Sequence, residues 1–414
     1  MHALATLGLD RLFFDLDLAS ILVMALKVLI IFVIGLVGTM FMVWFERKIV
    51  AGMQNRVGPN KAGPYGILQT LADGMKLIFK EDLMPNRADR IVYRIAPFLA
   101  FVPAFLVWCV IPLGGDFRDG NGGVIKIFGK ETLAQLADPP IGVLLLLVLG
   151  GIAVYGIMLA GWSSGSKYPL LGSVRASAQM VSYEASLGLS VGAVILVAGT
   201  LSTNAIVAGQ SGISNWMVIS TGVVPFLIFM VSATAELNRP PFDLVEAEQE
   251  LVGGFNTEYS AFMFALFYLA EFMNTVTMSG VIVTLFFGGP QPLSFKFGAF
   301  EYGGWLPFGP LSGTVWFVAK LLVFLYVYVW LRGTLPRLRY DQLMNLGWKI
   351  LIPLSLGWFM LIAIFRVGSD KGWSRPERIA AGAVGLVVML GCAGLLRRAS
   401  RVSARNRERE GAMF

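Results

Sequence analysis

This 414-residue chain has little charge: Asp, Glu, Lys and Arg together make up 14 % of it, with a formal balance of +7. It has two cysteines, Cys109 and Cys392, both inside apolar runs, and a single histidine, His2. So few thiolate or imidazole ligands exclude an iron-sulfur cluster, a haem or a zinc site of the usual type built by this chain alone. Any electron carrier has to sit on a partner. No soluble domain of usual size fits between the apolar runs, and no internal repeat is evident. That absence argues against a self-contained secondary transporter, in which paired repeats and broken helices are expected. The first apolar run is preceded by Asp10 and Arg11, is followed by Glu46-Arg-Lys48, and has no small-residue cleavage site near it. It is expected to be retained rather than removed as a signal peptide.

What the chain has in abundance is apolar sequence: 56 % hydrophobic residues and a mean hydropathy of +0.70. Many runs reach about 20 residues, enough to cross the hydrocarbon core of a bilayer. Lipid offers the backbone no hydrogen-bond partner, so such runs are helices. The sequence predicts an all-α polytopic membrane protein with about nine transmembrane helices. They fall near residues 21–45, 93–113, 141–161, 178–200, 216–235, 259–288, 313–331, 348–366 and 377–396.

Lys and Arg concentrate in the connections after the first, third, fifth and seventh runs and in the tail Arg397-Arg-Ala-Ser-Arg401 onward. By the positive-inside rule these lie in the cytoplasm, which places the N-terminus outside and the C-terminus inside. The basic tail reads as an orientation anchor or a contact with anionic lipid, not as a nucleic-acid site. The opposite connections (114–138, 201–215 and 289–312) are rich in Gly, Ser, Asn and Pro and read as loops.

The basic-side connections carry denser polar sequence. After the turn-forming stretch Gly58 to Gly66, the residues Ile67, Leu68, Leu71, Met75 and Ile78 share one helical face, while Gln69, Asp73, Lys76 and Lys80 share another. This predicts an amphipathic helix at the interface whose polar face lines a cavity. Further on, Glu236, Asp243, Glu246, Glu248, Glu250 and Glu258 gather between two membrane runs with one cation, Arg239, among them. Glu184 and Glu271 lie inside runs, where ionisable groups are costly and face a bundle interior or water. Several carboxylates in low dielectric cannot all be ionised, so their titrations couple, and a nearby change of charge shifts protons along the row. Lys27 reads as snorkelling outward. Lys320, deeper in its run, is expected to pair with a carboxylate.

Read together, Glu46-Arg-Lys, Gln54-Asn-Arg-Val-Gly-Pro-Asn60, Gln69 with Ala72-Asp73 and Lys76, Gly161-Trp, Ser166-Lys-Tyr, Gly172-Ser-Val-Arg175, Ser182-Tyr-Glu184, Ala235 to Asp243, Glu246-Ala-Glu, Glu250-Leu-Val, Glu258-Tyr and Pro336 to Gln342 resemble one family closely. It is the family of the H-type membrane subunit of bacterial NADH:quinone oxidoreductase (respiratory complex I), whose mitochondrial counterpart is NADH dehydrogenase subunit 1. The resemblance runs from about residue 21 to 366, within a core of 1–366. A further helix and basic tail at 367–414 extend beyond it.

The resemblance implies a component of the bacterial cytoplasmic membrane at the junction of a hydrophilic electron-transfer arm and a proton-pumping membrane arm. Quinone is the substrate it implies, with NADH, FMN and the iron-sulfur clusters on partner subunits. It implies a quinone channel lined by Arg47, Asp73, Lys76, Arg239, Arg332 and Arg337. It also implies an acidic proton-coupling route through Glu184, Glu236, Asp243, Glu246, Glu248, Glu250, Glu258 and Glu271. Two departures stand out: Ser164-Gly-Ser166 replaces the family's Ser-Asn-Ser, and the run from Ile141 to Gly161 holds no carboxylate. The alternative within this fold is the membrane anchor of a related hydrogenase, where no quinone need bind.

Overall fold

A computed structural model describes residues 17–118, 122–244, 253–297, 300–304 and 311–374, together with 307, 309 and parts of 376–394. The fold is an all-α bundle. The principal helices are α1 (Leu18–Met53), α2 (Gln69–Phe79), α3 (Arg90–Leu106), α4 (Gly142–Ser163), α5 (Lys167–Ala198), α6 (Val223–Glu236), α7 (Ala261–Phe286), α8 (Leu311–Thr334), α9 (Tyr340–Leu346) and α10 (Ile352–Asp370). A π-helical turn, Gly347–Leu351, joins α9 to α10, so the pair forms one span. Among the described residues seven helices are long and apolar enough to cross a membrane, and α6 is a shorter apolar helix.

Eight of the nine predicted runs are helical, with corrected ends. Glu46, Arg47 and Lys48 lie on α1 itself, because that helix continues to Met53. Residues 167–177, taken as a connection, form the first turns of α5; Pro169 sits in its first turn, where no intrahelical N–H bond is lost. The fifth run is broken instead: Gly222 has φ +78°, a left-handed conformation that favours glycine, and α6 starts only after it. The ninth predicted run falls largely outside the described residues. The connections read as loops also contain more structure than expected. Val124–Ile127 (β1) and Lys130–Leu133 (β2) pair as an antiparallel hairpin across Phe128-Gly129, both at positive φ. Ser294–Phe297 (β3) and Phe300–Gly303 (β4) form a second hairpin, and Thr203–Ala208 is a short helix.

The core forms around α7. In its most apolar stretch 83 % of residues are buried, against 22 % for α1. α7 packs against α1, α2, α3 and α8, and Phe229, Phe272, Phe286 and Phe317 are fully buried around it. The outward surface stays apolar: Val28, Leu29, Phe32 and Val33 of α1 are all exposed, as suits a lipid-facing helix. The amphipathic α2 is arranged the same way. Its apolar residues Leu71, Met75 and Ile78 point outward, while Gln69 and Asp73 turn toward α1.

Two lysines depart from expectation. Lys27 does not snorkel; it is buried and donates to Thr132 Oγ1 of β2 at 2.7 Å. Lys320 of α8 meets main chain rather than a carboxylate. Its ammonium donates to the carbonyls of Phe287, Gly289 and Gln291 at 2.7, 3.0 and 2.7 Å. These lie just past the end of α7, where exposed carbonyls carry the negative end of the helix dipole.

Candidate functional site

On α1 the buried positions Lys27, Ile31, Gly35, Thr39, Met42, Val43 and Glu46 recur every three or four residues, so one face of the helix looks into the bundle along its length. Glu46 ends that stripe. Arg332, in the last turn of α8, forms an ion pair with its Oε1. Arg239 Nη1 lies 3.1 Å from its Oε2. Arg239 follows α6 directly, after Asn238 takes a left-handed conformation (φ +52°) that reverses the chain, and Gln179 of α5 braces the turn by donating to the carbonyls of Ala235 and Phe242 at 2.8 and 2.9 Å. The guanidinium lies 4.0 Å from the centre of the Phe272 ring, and its Nε stands 2.8 Å from Glu271 Oε1, as an ion pair without hydrogen-bond alignment.

The four charges therefore alternate in one line: Arg332, Glu46, Arg239, Glu271. Formally the line is neutral. Glu46 and Arg239 are buried and persist as charges only because they are paired, whereas Arg332 keeps 37 % of its side chain exposed. Beside the line, Arg47 donates to Asp73 Oδ2 at 2.6 Å, while Gln69 donates to Asp73 Oδ1 at 3.0 Å. This is the inward polar face of α2.

Beyond Glu271 the bundle contains two adjoining cavities. One, of about 50 Å³, is bordered by Glu271, Asn274, Asn256, Asn238 and Glu236; the next, of about 30 Å³, is bordered by Glu236, Asn274 and Gly150. Glu236 Oε2 is buried and has no hydrogen-bond partner. On its far side α4 presents Gly150 and Gly151. A Cβ on Gly150 would lie 2.9 Å from Glu236 Oε1, and one on Gly151 would lie 3.1 Å from Glu184 Oε1. The run without a carboxylate thus contributes space, and the two acids meet across it. Glu184 in turn borders a wider lateral groove of about 800 Å³ with Tyr155, Ser177 and Trp348.

A sequence model described as NADH dehydrogenase matches residues 26–363, more than three quarters of the chain. The chain belongs to the NADH dehydrogenase family. It is 52 % identical over 343 residues to a protein of Frankia casuarinae, covering 83 % of this chain and 72 % of the relative. It is 51 % identical over 361 residues to one of Frankia alni, covering 87 % and 76 %. With a protein of Streptomyces avermitilis it shares 44 % identity over 392 residues, covering 93 % and 83 %. Each of these relatives is named as the H-type subunit of NADH-quinone oxidoreductase. The family match spans every charge of the line, Asp73, both cavities and the groove.

Within this family member, the residues singled out from sequence fall into three sets. Arg47 and Asp73 join each other, and Arg239, Arg332, Glu271, Glu236 and Glu184 line up as described. Asp243 and Arg337, assigned to different roles, instead pair with each other: Arg337 Nη2 donates to Asp243 Oδ2 at 3.0 Å, and Leu338 N donates to Pro241 O beside them. Lys76 stands exposed on α2. Glu258 lies apart from the line; its carbonyl accepts from Tyr93 at 2.7 Å, within a Tyr93–Tyr259 stack. Glu246, Glu248 and Glu250 lie outside the described residues. Sequence reasoning missed Glu46 as a site residue. Its signal was present: it continues the buried stripe of α1 by one more step.

Proposed function

We propose that this chain serves as the membrane component of a proton-translocating NADH-quinone oxidoreductase, holding the quinone passage and the first part of the acidic coupling route. In this reading Arg47, Asp73, Lys76, Arg239, Arg332 and Arg337 line the passage. Glu271, Glu236 and Glu184 carry protons away from it, with Asp243, Glu258, Glu246, Glu248 and Glu250 as further acids of the same region. The names of the relatives support the complex, and NADH, FMN and iron-sulfur centres then belong to partner subunits. The excess of Lys and Arg in these connections supports a cytoplasmic position for the Glu46 side, toward those partners.

The observation that carries the coupling is Arg239, one cation held by two carboxylates on different helices, Glu46 of α1 and Glu271 of α7. A quinone head that gains negative charge on reduction competes with Glu46 for Arg332 and Arg239. Each carboxylate that loses its cation in this low-dielectric setting gains affinity for a proton. Reduction at one end of the line is thereby felt as proton uptake at the other, and the cavities beyond Glu271 give that proton somewhere to go. Reduction of the quinone consumes two electrons from the partner and two protons; the displaced charge acts on the route and is not consumed.

The test is Glu271→Gln in the assembled complex, measured in liposomes as quinone reduction by NADH and as protons moved per electron. NADH oxidation by a soluble artificial acceptor, which bypasses this chain, is expected to stay within about twofold of wild type while coupled quinone turnover falls about tenfold or more, roughly 1.4 kcal/mol or more of barrier. Full turnover and full pumping in an assembled Glu271→Gln complex overturn the reading.

A further inference from the structure

Between Glu271 and Glu236 the route has a gap, and the gap is bordered by amides. Asn274 lies three residues after Glu271 on α7, on the same face, and borders both cavities; Asn256 and Asn238 border the larger one. Two acceptors in this region are buried and unpartnered: Glu236 Oε2 and Asn256 Oδ1. A buried acceptor left without a donor is costly, so such groups call for a partner. A cavity of about 50 Å³ exceeds the space one water needs, and a buried water is held where two to four polar groups converge. Glu236, Asn256 and Asn274 border the same cavity, so a water there would have donors to offer the two orphaned acceptors and an acceptor to offer the amide of Asn274.

We infer that Asn256 and Asn274 are positioning residues that hold the water through which a proton passes between Glu271 and Glu236. The inference deepens the proposed coupling role and rests on it. The chemistry requires the amides and not merely the room. An amide is both donor and acceptor and stays uncharged, so it fixes a water without competing for the proton. A cavity walled only by Ala100, Ala153, Ile157 and Phe267, its apolar border, would stay dry.

The experiment replaces each asparagine by leucine, similar in size but apolar, and Asn274 also by serine and by alanine, in the whole complex reconstituted in liposomes. Asn256→Leu and Asn274→Leu are expected to lower coupled quinone turnover about tenfold and to raise its solvent deuterium isotope effect, with soluble-acceptor activity unchanged. Asn274→Ser, which keeps a hydroxyl and leaves room for a second water, is expected to recover most of the turnover, and Asn274→Ala to recover little. Wild-type turnover and isotope effect in the assembled leucine variants overturn the inference. If the leucine variants do not assemble, the serine and alanine variants decide: equal loss in both overturns it, and rescue by serine alone supports it. Glu236→Gln run alongside separates the two levels. If Glu236→Gln is silent the coupling role itself fails, whereas a deficient Glu236→Gln beside silent asparagine variants sinks only the water-holding role.

Discussion

Arg239 and Lys320 are almost equally buried, at 6 % and 7 % exposure, yet they are held in opposite ways. Arg239 is held by side chains, Glu46 and Glu271, each of which can take up a proton or find another cation. Lys320 is held by three main-chain carbonyls at the end of α7, which can do neither. All three of its ammonium donors are occupied, and Trp216 packs near it at 5.1 Å. Burial alone therefore does not mark a functional charge. A cation whose partners titrate has more than one arrangement within reach; a cation clamped by the backbone has one, and works as a rivet between α8 and α7.

The comparison breaks most sharply at Arg239. Arg239→Met takes one cation partner from both Glu271 and Glu46, a loss on the order of 3–5 kcal/mol for a buried pair. Quinone reduction is expected to fall by about 100-fold or more, measured against soluble-acceptor activity in the same membranes. Lys320→Met should fail differently. It orphans three buried carbonyls at roughly 1–3 kcal/mol each, so the amount of assembled complex and its midpoint of thermal unfolding drop, while the complex that does assemble keeps its wild-type ratio of protons to electrons. A changed ratio in that surviving fraction would put Lys320 in the same class as Arg239. The smallest effect is expected at Arg337, whose side chain is 48 % exposed against Asp243. Asp243 is buried but keeps a further interaction, and the Arg337 head is half solvated, so Arg337→Ala should slow quinone turnover by no more than about fivefold, read as a change in apparent KM more than in maximal rate.

The membrane helices were legible in the sequence because a span announces itself by length and hydropathy alone. Their ends were not, because a helix continues into polar sequence when tertiary contacts satisfy its side chains. Glu46 and Arg47 looked like the start of a connection, yet Arg239, Arg332 and Asp73 receive them as helical residues. Glu184 and Glu271 could be named from their cost in an apolar setting, Arg239, Arg332, Arg47 and Asp73 only through the family resemblance, and Glu46 not at all; of the polar side of α2, Gln69 and Asp73 turn toward α1 while Lys76 stands exposed. The pairing of the charges could not be foreseen. Asp243 with Arg337 and Glu46 with Arg239 join positions about 90 and 190 residues apart, and no local pattern encodes which distant helix end arrives beside which. The glycine pair of α4 shows the same limit from the other direction. In the sequence the run from Ile141 to Gly161 stood out only for holding no carboxylate, and the use of Gly150 and Gly151 became visible only once Glu236 and Glu184 stood against them.

The length of α1 sets a dimension of its own. Its 36 residues make a rod of about 54 Å at 1.5 Å per residue, and even leaning 40° from the membrane normal it projects about 41 Å. The hydrocarbon layer is about 30 Å deep. With the hydrocarbon layer beginning at Leu18, it would be used up near Thr39 for an upright rod and near Trp44 for a leaning one, which would leave Glu46 past the acyl chains. On that placement the charged line stands on a pedestal whose height is set by the length of α1. On the proposed reading, a quinone held in the bilayer by its tail would have to raise its head out of the oil to reach Arg332 and Arg239, and thickening or thinning the bilayer would change the length of that climb.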